Sequence, residues 1–138
     1  MSDFSWGTIR DLVYKRARSC CEYCQTSEEN IGQAMHVEHI RPSGGDDLDN
    51  FCLACSNCNL SKAIALSAVD PVTETEISLF NPRQQVWSEH FAWIDDGVRV
   101  MGLTPVGRAT VERLKMNRDR IVRVRRRWVE AGFHPPEQ

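Results

Sequence analysis

No run in the 138 residues approaches the roughly 20 apolar residues a membrane-spanning helix needs, so no membrane partner is expected. The start, Met1-Ser2-Asp3-Phe4-Ser5-Trp6, lacks a basic segment followed by an apolar one, so no secretory signal is expected either. Repeats and low-complexity tracts are missing, which excludes solenoids and compositional linkers. Charge of one sign is not in large excess: the net charge is −2. The apolar fraction of 41% and charged fraction of 26% are those of an ordinary soluble domain. One domain, 1–138, is the expectation at this length, with a core at about 20–69 and an extension at about 72–138. Such a fold buries roughly two-thirds of its chain surface, so a bound metal would help it.

What is present begins with six cysteines. In a cytoplasmic, reducing setting, which is the localisation expected here, they point to metal rather than disulfides. Cys21-x2-Cys24 and Cys55-x2-Cys58 are paired knuckles thirty residues apart. Tetrahedral zinc takes four thiolates, and a two-residue spacer lets both sulfurs of a pair turn to one ion. Cys20 and Cys52 could substitute, since Cys52-x2-Cys55 has the same spacing. Cys58 is preferred because Asn59 is expected to open a helix. Four thiolates leave no open position, so this zinc is expected to be structural.

Charge is distributed unevenly. From Pro105 onward there are nine Lys/Arg against four Asp/Glu, while residues 1–104 carry eight against fifteen. Arg118, Arg120, Arg123, Arg125, Arg126 and Arg127 fall on several faces of a helix. They could neutralise phosphates without sequence selectivity, or pair with the acidic first half. Arg123 and Arg126 are candidate nucleic-acid contacts.

Periodicity predicts a helix from Trp6 to Ser19, a polar loop over 25–34, and short strands at Met35–Ile40 and Phe51–Ala54. A helix follows from Asn59 to about Val69, stopped by Asp70-Pro71. Gln85–Ile94 and Val98–Leu103 flank Asp95-Asp96-Gly97, a hairpin signal. Helix is expected from Pro105 to Ala131, broken near Asn117 and stopped at Gly132.

Between the knuckles lie His36-Val37-Glu38-His39-Ile40-Arg41-Pro42-Ser43-Gly44-Gly45, then Asn50, then Cys58-Asn59-Leu60-Ser61-Lys62. A carboxylate and an imidazole stand side by side at a strand end, before a glycine loop and a helix. Phosphodiester hydrolysis needs a base for water and a divalent cation on the phosphate. Glu38 is a hard ligand for Mg²⁺ or Mn²⁺, imidazole is a suitable base near neutral pH, and the Asn59 carbonyl can join the same ion. His36, two residues before Glu38, shares its strand face and can join the site or orient a neighbour. Lys62 and Arg41 are candidate phosphate contacts or simply solvated cations. His90 and Trp87 are expected to pack, and His134 to sit in a tail.

These residues resemble the HNH endonucleases, in the bacterial stand-alone form that sets the motif between two Cys-x2-Cys knuckles. The likeness runs from Cys21 to Lys62 through paired knuckles, Glu-His-Ile-x-Pro, Gly-Gly, a middle Asn and Cys-Asn-x-x-Lys. Leu79-Phe80-Asn81-Pro82-Arg83, Trp87, His90-Phe91 and Gly107-Arg108-Ala109-Thr110 are similar to a tail of bacterial members. The resemblance implies an α+β fold: a ββα-metal (His-Me finger) core with a structural four-cysteine zinc site, plus a C-terminal β-hairpin and helices. It implies a metal-dependent endonuclease with His39 as general base. Glu38 is implied as a ligand where Asp or His is more usual, Asn50 as the brace of the loop, and Asn59 as the third motif residue. Ala63 stands where some members carry a further His, which favours Mg²⁺ over a zinc-like catalytic ion. DNA is the nucleic acid the resemblance favours. The rivals are a non-catalytic zinc module that binds nucleic acid, which would not need Glu38, His39 and Asn59 together, and a protein-interaction zinc module, which would show neither cleavage nor salt-sensitive DNA binding.

Overall fold

The computed structural model describes residues 5–137; Met1–Phe4, on which much of the reading of the N-terminus rests, and Gln138 lie outside them. Helix α1, Trp6–Ala17, starts where the Ser5 hydroxyl accepts the Thr8 N–H at 3.2 Å. It stops where Arg18 turns left-handed (φ 55°), and it buries Ile9 and Val13. The predicted polar loop contains one helical turn, α2 (Glu28–Ile31), capped by Ser27 and ended by Gly32 at φ 71°. Its signals are a serine before two glutamates and a glycine after.

Strands β1 (His36–His39) and β2 (Phe51–Ala54) pair antiparallel, with His36 opposite Ala54, Glu38 opposite Cys52 and His39 opposite Phe51. Helix α3 spans Ser56–Lys62 and packs on β1. This corrects the expected 59–69 helix at both ends. Cys55 occupies the N-cap position, so Asn59 lies inside the helix instead of opening it. Beyond Ala63, which has φ 49°, residues Ser67–Val69 form β3 and pair with β4, Glu76–Ser78. The Ala/Leu-rich stretch suits either state, and cross-strand pairing decides it. Asp70-Pro71 therefore makes a hairpin turn. The buried Asp70 carboxylate accepts the Val72 N–H at 3.1 Å and both Arg108 nitrogens at 2.9 Å.

Helix α4 (Trp87–His90) occupies the front of the segment predicted as a strand; β5 (Phe91–Ile94) and β6 (Arg99–Gly102) form the expected hairpin. Asp95, Asp96 and Gly97 all take positive φ in its turn. The Thr104 hydroxyl accepts the Gly107 N–H at 3.1 Å and starts α5, Pro105–Leu114, with proline in the first turn. Gly107 has no room for a Cβ against the His90 carbonyl, so α5 lies close on the hairpin. Left-handed Lys115 ends α5, and α6 runs from Asp119 to Glu130, with Gly132 (φ 82°) beyond it. The architecture is α+β, three two-stranded sheets among helices. One apolar cluster joins Ile9, Val13, Tyr23, Phe51 and Leu53 to Phe91, Leu114 and Met116; a smaller one gathers Val98, Ile121 and Val122. No helix among the described residues is long and apolar enough to cross a membrane.

Candidate active site and metal centre

Cys21, Cys24, Cys55 and Cys58 are buried with their sulfurs all within 4.8 Å of one another. The Cys24 and Cys55 sulfurs stand 3.7 Å apart. Zinc–sulfur bonds of about 2.3 Å in a tetrahedron give a sulfur–sulfur edge of about 3.8 Å, so the four thiols fit one zinc. Burial pushes the Cys21 thiol well above its ordinary range, whereas hydrogen bonds from Cys21, Cys55 and Cys58 hold Cys24 well below it. The four-cysteine cluster points to zinc binding. The ligand set is the expected one, although the helix start used to choose Cys58 is not. Cys52 faces the core with its thiol pushed up to about 12, chiefly by burial, and lies 3.7 Å from the Tyr23 hydroxyl. Cys20 is buried as well.

Glu38 and Asn59 meet between β1 and α3. The Asn59 amide end lies 2.8 Å from Glu38 Oε2 and is in contact with Oε1. With its nitrogen inward the amide donates to the carboxylate. With its oxygen inward, the two side chains present converging oxygens. Carboxylate and amide oxygens are the hard donors a divalent cation takes, so the chemistry of the pair suits Mg²⁺ or Mn²⁺ once the amide oxygen faces inward. Burial pushes the Glu38 carboxyl up to about 7, opposed by the charges of Lys62 and His39.

The His39 ring is 40% exposed and leans on Phe51, its cross-strand partner, at 4.8 Å between centroids. Its Nε2 lies 2.7 Å from Asp46 Oδ1. Donation from Nε2–H to that carboxylate leaves Nδ1 as the free acceptor. Sequence reasoning did not single out Asp46; a carboxylate seven residues beyond a histidine, across two glycines, is a weak signal. Asn50 is buried and holds the loop from both sides: Oδ1 accepts the Arg41 N–H at 3.0 Å, while Nδ2 donates to the carbonyls of Arg41 at 3.0 Å and Gly45 at 2.9 Å. Gly44 packs on this amide so closely that a Cβ would strike it.

The remaining candidates divide. His36 reaches Ser56 Oγ at 3.1 Å, at the front of α3. Lys62 is neither solvated nor free for phosphate: it is 2% exposed and donates to the Ile40 carbonyl at 3.0 Å. Its charge bears on Glu38, and burial lowers its pKa. Arg41 is exposed. Arg123 and Arg126 are exposed on α6, which packs on the turn of the second hairpin. Arg125 does not belong to the basic surface. It is 1% exposed, donates to the Val98 carbonyl at 3.1 Å, and lies 5.3 Å from the centre of the Trp93 ring. His134 likewise does not lie in a loose tail; it is buried edge-on to Trp93 at 4.5 Å. Trp87 and His90 pack as expected, donating to the Tyr23 carbonyl at 2.7 Å and meeting Thr104 Oγ1 at 2.6 Å.

Residues 21–63 match the family model described as HNH endonuclease. This segment is an HNH domain. The matched residues run from the first zinc ligand to the end of α3 and contain Glu38, His39, Asn50 and Asn59. The HNH domain implies a nucleic-acid substrate and a nuclease or related function. No curated protein and no solved structure matches the chain.

Proposed function

We propose that this HNH domain is an endonuclease that hydrolyses DNA phosphodiester bonds with the help of Mg²⁺ or Mn²⁺. The observation that carries the reading is the convergence, at one end of β1, of a half-buried carboxylate against an amide and an exposed imidazole held by a second carboxylate. His39 Nδ1 takes the proton from an attacking water, and Asp46 holds the ring in the tautomer that leaves this nitrogen free. Glu38 and Asn59 hold the divalent cation. When bound, that cation supplies charge stabilisation to the phosphate and the leaving oxygen. Asn50 fixes the loop that carries Asp46 toward His39. The arginines exposed on α6 add affinity for the phosphate backbone that falls with salt. Six free cysteines suit a reducing, cytoplasmic setting.

Supercoiled plasmid incubated with Mg²⁺, Mn²⁺ or EDTA tests this. Cation-dependent nicking or cutting is expected, falling by about a hundredfold or more in His39→Ala. Cleavage that survives the substitution unchanged refutes the base assignment. A plasmid shifted in the gel but never cut leaves the non-catalytic nucleic-acid-binding module as the function.

A further inference from the structure

A cavity of about 420 Å³ opens beside the catalytic strand, walled by Ile40 and Arg41, the two residues that follow His39. The loop from Asn81 to Gln85 forms another wall. The size is in the range of small-ligand sites. Its floor is apolar: Ile40, Leu79 and Phe80 are 5%, 7% and 2% exposed. Its polar lining is mostly donors, for a reason the hydrogen bonds show. Asn81 Oδ1 is taken by the Arg83 N–H at 2.9 Å, and Gln85 Oε1 by the Asn81 N–H at 2.8 Å. The Asn81 carbonyl accepts from the Gln84 and Gln85 N–H groups, and the Leu66 carbonyl accepts from the Leu79 N–H. The NH₂ of Asn81, the NH₂ of Gln85 and the Arg41 guanidinium stay without a partner among the described residues, beside the Gln84 amide and the Ser78 hydroxyl, which can turn either way. Lys62 closes the inner end with its ammonium turned to the Ile40 carbonyl.

An apolar floor under a rim of donors suits a flat ring with acceptors along one edge. A phosphate alone would gain nothing from the floor. Among the bases, guanine presents two adjacent acceptors, O6 and N7, and an arginine fork matches them. Cytosine offers a donor at N4 and adenine one at N6, which would face the Arg41 fork and the Asn81 and Gln85 NH₂ groups. We propose that this cavity is a specificity pocket that takes an unstacked guanine of the nucleic-acid strand at the HNH active site, read by Arg41, Asn81 and Gln85. The inference rests on the nuclease reading for its strand, so binding is measured apart from cleavage.

The probe is oligo-dT with a single central dG, dA or dC, titrated without added Mg²⁺ or Mn²⁺ against the full chain carrying His39→Ala. The dG oligomer is expected to bind about tenfold more tightly than the dA and dC oligomers. Asn81→Asp with Gln85→Glu keeps both internal acceptors and replaces both free donors. The ratio of dG to dC affinity, which a general loss of DNA attraction leaves alone, is expected to fall to one or below. A ratio unchanged in that variant, or no dG preference before it, overturns the pocket. Free dGMP binding as tightly as the dG oligomer also overturns the strand assignment, since it identifies a mononucleotide as the occupant. Preserved dG preference with no plasmid cleavage by the wild-type chain sinks the nuclease and keeps the pocket. His39-dependent cleavage without dG preference sinks only the pocket.

Discussion

The HNH domain and the part of the chain after it are built on different principles. In residues 21–63 four buried thiols, two four-residue strands and a loop tied by one asparagine are set beside a few core side chains, Tyr23, Phe51 and Leu53 among them. The later part is held by large side chains. Trp87 stacks on Phe91 at 5.2 Å, Trp93 lies against His134, and Val98, Ile121 and Val122 close a cluster of their own. A short two-stranded sheet is marginal in water by itself. The HNH segment thus leans on its four-cysteine site and on its neighbour, while the neighbour leans on apolar burial. This separation lets the site keep polar, partly exposed groups that a packed core would exclude.

The largest test of this contrast removes a zinc ligand. Cys58→Ala, or strong chelation, is expected to abolish cooperative unfolding of the chain, because metal binding supplies folding free energy. Hydrogen exchange should show β1, β2 and α3 losing protection first, with α6 amides retaining more. Equal loss across the chain would erase the contrast. Next is Asn50→Ala. It leaves the Arg41 N–H and two carbonyls without their partner, at a cost of about 1–3 kcal/mol in urea unfolding, with lower cleavage at saturating DNA. Unchanged stability would show that the loop is held otherwise.

The third test stays at the imidazole. Asp46→Ala is expected to lower the cleavage rate by roughly tenfold while leaving DNA affinity in place. That is far less than a buried triad carboxylate contributes, because this pair is open to solvent. A loss as large as that of His39→Ala would make Asp46 an essential member of the site.

How much of this was legible follows the same division. The zinc ligands, Glu38, His39, Asn50 and Asn59 could be read because ligand spacing and motif order are local properties of the chain. Strand β1 followed from alternation, β2 from a short apolar run, and the second hairpin from its turn residues. What escaped depended on partners distant in sequence. Ser67–Val69 became a strand because Glu76–Ser78 lay opposite, Lys62 was drawn inward by the Ile40 carbonyl, and Arg125 was buried under the second hairpin. An arginine within an arginine run carries no local mark of which one faces inward. Nothing before His134 announces that Trp93 will cover it.

The smallest predicted effect sharpens the contrast from the other side. Burial, joined by the nearby Arg125 charge, lowers His134 from its ordinary value of 6.5 to about 4. The unfolded chain therefore binds the extra proton across that interval, and stability falls as pH drops from 6.5 toward 4. His134→Phe is expected to flatten this dependence by on the order of 1 kcal/mol between pH 6.5 and 5, measured by urea unfolding of both proteins. Parallel curves would mean that His134 is not kept neutral in the fold.

The ion pair between Arg83 and Glu22 joins two things that chemistry would keep apart. Glu22 follows a zinc ligand directly and also accepts the Leu53 N–H at 2.8 Å, whereas Arg83 sits in the loop that walls the guanine pocket. Knuckle and wall are thus riveted as one piece. Oxidation of a cysteine that slackens the knuckle would therefore loosen the Asn81–Gln85 wall together with the strand carrying His39.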